Sequence, residues 1–262
     1  MTDYQNHPAV AAERLLKDIA SDYQGILGKN LTGVYLHGSL AMDCFNPKTS
    51  DIDFLVVVKH PINHRQKERL VEILLSYDAL APAKGFEMSV LLLSNTMTFT
   101  YPTPFLLHYS PSHKEAFIKN GTLCENGSDP DLAAHITVLK KRGRIICGDT
   151  VERVFGDVPK SDYRRAIRYD LEDIDKMLDT DTTYFVLNLC RTLYYVEEEV
   201  IASKREGGEW ALKHLPEAYS QIIQNALIAY KTGAKGYRET SVMLRKFVED
   251  LFSRVDRFLC PE

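Results

Sequence analysis

The sequence predicts an α+β chain: a first domain with a small mixed sheet flanked by helices, followed by an all-helical C-terminal domain. Three short apolar segments rich in strand formers, Leu31 to His37, Asp51 to Val58 and Phe86 to Leu93, alternate with stretches of helical period. Gly156 and Pro159 then mark a change of texture, and from Ser161 to Cys260 the apolar spacing is helical with no convincing strand. The boundary therefore falls between residues 157 and 158, giving domains 1–157 and 158–262.

Taken in order, Ala9 to Leu27 place Val10, Leu15, Leu16, Ile19, Tyr23 and Ile26 at helical spacing, with Gly28 as a stop. Leu31 to His37 reads as a strand running into Gly38-Ser39, where a tight turn or a helix start is expected. A loop with Asn46-Pro47 and Thr49-Ser50 leads to the second strand, which becomes fully apolar at Val56 to Val58, as a strand buried on both faces does. Asn63 to Leu80 is amphipathic through Leu70, Val71, Ile73, Leu74 and Leu75, and Phe86 opens the third strand. Pro102, Pro104 and Pro111 predict an irregular segment from Tyr101 to Ser112. Helical period returns at Asp131 to Leu139, and Ser161 is placed to cap the long helix that opens the second domain.

Composition narrows the function classes. With 45% hydrophobic residues the chain can bury a core, and no apolar run approaches the ~18 residues of a membrane-spanning helix. The N-terminal segment lacks the basic and apolar regions of an export signal, which predicts a cytoplasmic protein. Cys44, Cys124, Cys147, Cys190 and Cys260 are odd in number and widely spaced, unlike a disulfide framework or a zinc site. A formal net charge of -4 disfavours a protein whose task is gripping long nucleic acid.

Chemistry concentrates in the first domain. Side chains alternate along a strand, so Asp51 and Asp53 project from one face while Ile52 points to the other. Two carboxylates so close repel unless a cation or a proton neutralises the pair. An all-oxygen donor set suits magnesium, which takes its remaining ligands from water and substrate phosphates, so a nucleoside triphosphate is the expected partner. Gly38 lets the backbone approach a phosphate closely, and Ser39 adds a hydroxyl beside a helix start. Glu87 shares a face with Ser89 opposite Phe86 and Met88, which brings a third carboxylate, able to take a proton or bind metal, beside the first two.

On these residues, HGSLAMDCFNPKTSDIDFLVVV resembles the signature of the nucleotidyltransferase superfamily that includes DNA polymerase beta. Nearly the whole chain resembles the aminoglycoside 3''-O/9-O adenylyltransferases, with second-domain matches in VLNLCRTLYY, SKREGGEWAL and the tyrosine of NALIAYKTG. The resemblance implies a nucleotidyltransferase domain in which Asp51 and Asp53 hold Mg2+ and Glu87 is the general base. It further implies that Gly38, Ser39 and Ser50 contact the triphosphate of ATP, the co-substrate, and that Arg191, Lys204 and Tyr230 close on the nucleotide from the helical side. The implied reaction is AMP transfer from ATP to a hydroxyl of an aminoglycoside or aminocyclitol antibiotic, with release of pyrophosphate. ATP is expected to bind first and to help complete the acceptor pocket.

The chain departs from that family after its YPP motif, where it reads YPTPFLLHYSPSHKEAF without tryptophan; its single tryptophan is Trp210. Spectinomycin is therefore favoured over streptomycin as the acceptor. The same chemistry on another small molecule or a protein side chain, or nucleotide binding without turnover, are the rival readings. Asp170, Glu172, Asp173, Asp175, Asp179 and Asp181, with Glu197 to Glu199, would attract a cationic acceptor if they faced the cleft; such runs are more often a solvated helix face. His37, His108, His113, His135 and His214 lack metal-binding spacing and receive no chemical role, and Lys140, Lys141, Arg142 and Arg144 read as exposed charge at a helix end.

Overall fold

The computed structural model describes residues 7–171, 181–234 and 242–259. Two compact units divide between Tyr163 and Arg164. Val158, expected in the second domain, packs on the core of the first unit, which carries the division past Pro159.

In the first unit, α1 (Pro8–Leu27) starts on Pro8, whose fixed φ suits a first helical position, and stops at Gly28 with φ 55°. β1 (Leu31–Leu36) runs into the short α2 (Gly38–Ala41), and β2 (Ile52–Val58) into α3 (His64–Ser76). Asn63 and Gln66 form a reciprocal capping box that fixes the start of α3. The amphipathic stretch expected to reach Leu80 ends at Ser76, and a separate 3-10 turn covers Asp78–Leu80. β3 (Phe86–Leu92) lies parallel to β2, which requires a crossover, and α3 supplies it.

After α4 (Leu93–Met97), the segment expected to be irregular carries β4 (Thr103–Pro104), β5 (Leu107–Tyr109) and the start of α5 (Pro111–Asn120). The prolines are tolerated there because Pro104 sits in a two-residue strand and Pro111 at the first position of a helix. β6 (Cys124–Glu125), β7 (Ser128–Asp129), α6 (Leu132–Arg142), β8 (Arg144–Gly148) and α7 (Val151–Val154) complete the unit. Arg144, expected at a helix end, lies in β8 and pairs with Glu13 and Asp43; Lys140 binds the Phe155 and Gly156 carbonyls. Both cations thus serve the fold.

The sheet order is β6-β5-β3-β2-β1-β8, with β2 and β3 the parallel pair. Strand parity sorts its two faces. Ile52, Phe54, Val56 and Val58 join Phe86, Met88 and Val90 in a cluster with residues of α1 and α3. Leu55, Val57 and Leu91 face the other way, onto Leu132, Ile136 and Leu139 of α6. Each fully buried aliphatic side chain contributes roughly 1.5–3 kcal/mol, so both faces hold β2 in register. Asp53, two residues before Leu55, and Glu87, four before Leu91, are thereby assigned to the α6 face.

Every described element of the second unit is helical. α8 (Lys160–Tyr169) begins one residue before Ser161, the Pro159 carbonyl accepting the first amide bonds in place of the expected serine cap. α9 (Thr182–Glu198) packs against α10 (Lys204–His214), α11 (Ser220–Thr232) and α12 (Val242–Leu259). Its Phe185, Val186, Leu189, Cys190 and Leu193 are fully buried. Gly207 of α10 lies against the backbone of α9: a Cβ there would stand 2.5 Å from Arg191 Cα.

Gly207→Ala should therefore cost the second unit about 1–3 kcal/mol, read as a lower urea midpoint in Trp210 fluorescence. A methyl group added at Gly25 of α1 would have nothing within 4 Å, and Gly25→Ala should raise the midpoint of the first unit by a gain of roughly 0.5–1 kcal/mol, followed by circular dichroism.

Candidate active site

The parallel register sets Asp53 of β2 directly beside Glu87 of β3. Asp51, one residue before β2, shares their face, and one carboxylate oxygen from each of the three residues lies within 4.8 Å of the others. Burial pushes the Glu87 carboxyl above its usual range; His135 pulls it back, and Asp51, Asp131 and Asp129 add to the rise. A hard divalent cation fits this oxygen donor set and relieves its repulsion.

Gly38, the first residue of α2, closes the site just beyond the end of β1. It adopts φ 65°, and a Cβ would lie 1.8 Å from Asp53 Oδ2, so only glycine fits at this crossing. The His37 amide donates to the Asp53 carbonyl at 3.0 Å, tying the end of β1 to β2. Ser39 Oγ is buried without a hydrogen-bond partner, which a phosphate oxygen would supply. Ser50, expected on the triphosphate, is 3% exposed, and its hydroxyl accepts from the Asn46 amide at 3.1 Å. That bond shapes the loop that delivers Asp51.

The structure also brings in residues that were given no chemical role. His135 of α6 approaches Asp131 Oδ2 at 3.1 Å and Glu87 Oε1 at 3.8 Å through Nε2, and its ring packs against His37 with centroids 4.7 Å apart. Burial opposes its charge, but Asp131, Glu87 and Asp53 outweigh burial and push its pKa up to about 10. Burial, reinforced by His135, holds His37 well below its usual value. Two signals pointed here: His37 has the parity of Tyr35, which faces α6, and Asp131 and His135 stand four apart on one helix. His108 is held down to about 4 by burial and bonds Ser89 Oγ at 2.9 Å.

In the second unit, Arg191 Nε donates to Asn188 Oδ1 at 2.6 Å, and its Nη2 lies 3.4 Å from Asp170. Asp170 also accepts from Tyr184 and Asn188, and Lys204 Nζ sits 3.9 Å over the Tyr184 ring. Arg191 and Lys204 thus meet around Asp170 and Tyr184, while Tyr230 is half-buried on α11. Much of the acidic run serves this unit's own structure: Asp181 caps α9, Glu197 pairs with Arg254, Glu198 accepts from Trp210, and Glu199 faces Arg164. Glu172, Asp173, Asp175, Asp179 and Cys260 lie outside the described residues. Trp210 is 6% exposed and stacked between Tyr194 and His214.

Residues 13–94 match the nucleotidyltransferase domain, and residues 153–254 match the C-terminal domain of aminoglycoside adenylyltransferase. The chain is 28% identical over 237 residues to spectinomycin 9-adenylyltransferase of Staphylococcus aureus, covering 88% of this chain and 84% of that protein. It is 26% identical over 222 residues to aminoglycoside (3'') (9) adenylyltransferase of Klebsiella pneumoniae, covering 82% and 84%. In fold it is similar to the crystal structure of a spectinomycin adenyltransferase of Enterococcus faecalis with ATP and spectinomycin, with TM-score 0.76 and 23% identity over 94% of this chain and 98% of that one.

The raised pKa of His135 has a measurable sign. In the metal-free protein its ring resonances should keep imidazolium shifts from pH 6 to pH 9, and Asp131→Asn should lower the midpoint. Because the folded value exceeds the unfolded one of about 6.5, the stabilisation is complete below that unfolded value. It is lost as pH rises through about 10.

Proposed function

We infer that this chain, a nucleotidyltransferase carrying the C-terminal domain of the aminoglycoside adenylyltransferases, transfers AMP from ATP to a hydroxyl of an aminoglycoside or aminocyclitol antibiotic, with spectinomycin favoured over streptomycin. The observation that carries this reading is the convergence of Asp51, Asp53 and Glu87 within 4.8 Å, beside a glycine that admits nothing larger. The absence of tryptophan from residues 101–117 supports the preference for spectinomycin, because the lone Trp210 is buried within the helical unit.

Asp51 and Asp53 would hold Mg2+, which when bound neutralises charge developing at the α-phosphate. Glu87 takes the proton of the acceptor hydroxyl; burial, which raises its pKa, makes it a stronger base than an exposed carboxylate. The acceptor oxygen bonds to the α-phosphorus as the bond to the bridging oxygen breaks, and pyrophosphate leaves with that electron pair. Gly38 and Ser39 line the triphosphate, Ser39 giving its unpaired hydroxyl, while Ser50 supports from the loop. Arg191 and Lys204 supply positive charge to the nucleotide phosphates, and Tyr230 an aromatic surface for the base. The setting we assign is the cytoplasm, in keeping with the reduced thiols of Cys44, Cys124, Cys147 and Cys190 and with the absence, among the described residues, of any helix long and apolar enough to cross a membrane.

Incubation with ATP, Mg2+ and a panel of aminoglycosides should add one AMP to spectinomycin, detected by mass. AMP on a protein side chain, or reversible retention of labelled ATP with no product, overturns the acceptor assignment. Glu87→Gln should lower kcat roughly 10²–10⁴-fold with KM for ATP near the wild-type value. Asp53→Asn should abolish both transfer and Mn2+ binding.

A further inference from the structure

We propose that His135 is a positioning residue for Glu87, holding that carboxylate in the cluster so that it meets the acceptor hydroxyl; the catalytic part of this statement rests on the AMP-transfer reading above. Left to electrostatics alone, Glu87 would turn outward, because Asp51 and Asp53 crowd it from one side and Asp129 and Asp131 also press on it. Its side chain is 30% exposed and has three rotatable bonds, so the sheet fixes its Cα without fixing its carboxylate.

Among the described residues of this cluster, the His135 ring is the group placed to oppose that turn. Leu132, Ile136 and Leu139 of α6 are buried against the sheet, and His135, three residues after Leu132 and four before Leu139, stands on the same stripe. Its Nε2 reaches Asp131 at 3.1 Å one turn back and faces Glu87 at 3.8 Å. On its other side the ring packs on His37, which is 3% exposed and whose amide is bonded to the Asp53 carbonyl. The imidazole is therefore held by a carboxylate and by a ring seated at the end of β1, and it passes that rigidity to Glu87 across the gap between α6 and β3.

Two substitutions separate positioning from packing. His135→Leu keeps much of the ring's volume and removes the donor, whereas His135→Gln keeps a donor near the position of Nε2. With ATP, Mg2+ and spectinomycin, His135→Leu should lower kcat by about tenfold to a hundredfold with both KM values within about twofold, and His135→Gln should recover most of that loss. A kcat for His135→Leu within about twofold of wild type, an equal fall in both variants, or a rise in KM alone overturns the proposal. A crystal structure of His135→Leu tests it without turnover: the Glu87 carboxylate should leave the side of Asp53, and a Glu87 that stays in place overturns the assignment. Wild-type protein that transfers no AMP overturns the activity and not the positioning, which the crystal structure then decides.

Discussion

Three carboxylates held within 4.8 Å of one another are the arrangement on which the rest of the catalytic unit depends. Like charges at that spacing force the surrounding structure to supply rigidity, and each neighbouring element is placed to do so. The parallel register of β2 and β3 fixes Asp53 beside Glu87, the Asn46 to Ser50 loop delivers Asp51, and the His37 amide pins the Asp53 backbone. Compensation comes from a cation when one is bound and, within the chain, from the His135 imidazole.

This arrangement explains why the sheet is covered so unequally. Beneath β2 and β3, the face toward α1 and α3 is filled with apolar side chains along its length. On the α6 face, Leu55, Val57 and Leu91 are packed by the helix, but the start of both strands is given over to acidic groups. The apolar half of each strand supplies the burial energy that holds the polar half in a costly place. The same division operates in α6, where Leu132, Ile136 and Leu139 anchor the helix and His135 turns from the same stripe toward charge.

Much of this was legible in the sequence because it follows from parity and period. Alternation assigned Asp51, Asp53 and Glu87 to one face, and the apolar stripes located the helices that cover the sheet. The roles of His37 and His135 were hidden because neither belongs to a metal-binding spacing: the two rings, far apart in sequence, meet only in the folded chain, and parity and helical spacing place each on a face without pairing them. β8 was missed for a related reason, since Arg144 to Gly148 follows a basic helix end and gains its strand character only from pairing with β1. Ser50, which the family resemblance implies as a triphosphate contact, also accepts from a backbone amide four residues away, a bond no local pattern announces and one that leaves its hydroxyl proton to be donated.

The late return of β8 bears on how a newly made chain reaches this state. β1 lies between β2 and β8, and the Tyr35 hydroxyl bonds the Asp149 carbonyl across 114 positions. In a nascent chain that has left the ribosome only as far as β3, all three acidic residues have been made, yet β1 lacks its β8 neighbour and α6 has still to be synthesised. Pairing over so long a separation comes late, so during synthesis the early half of this unit carries an unpaired strand edge until Gly148 emerges.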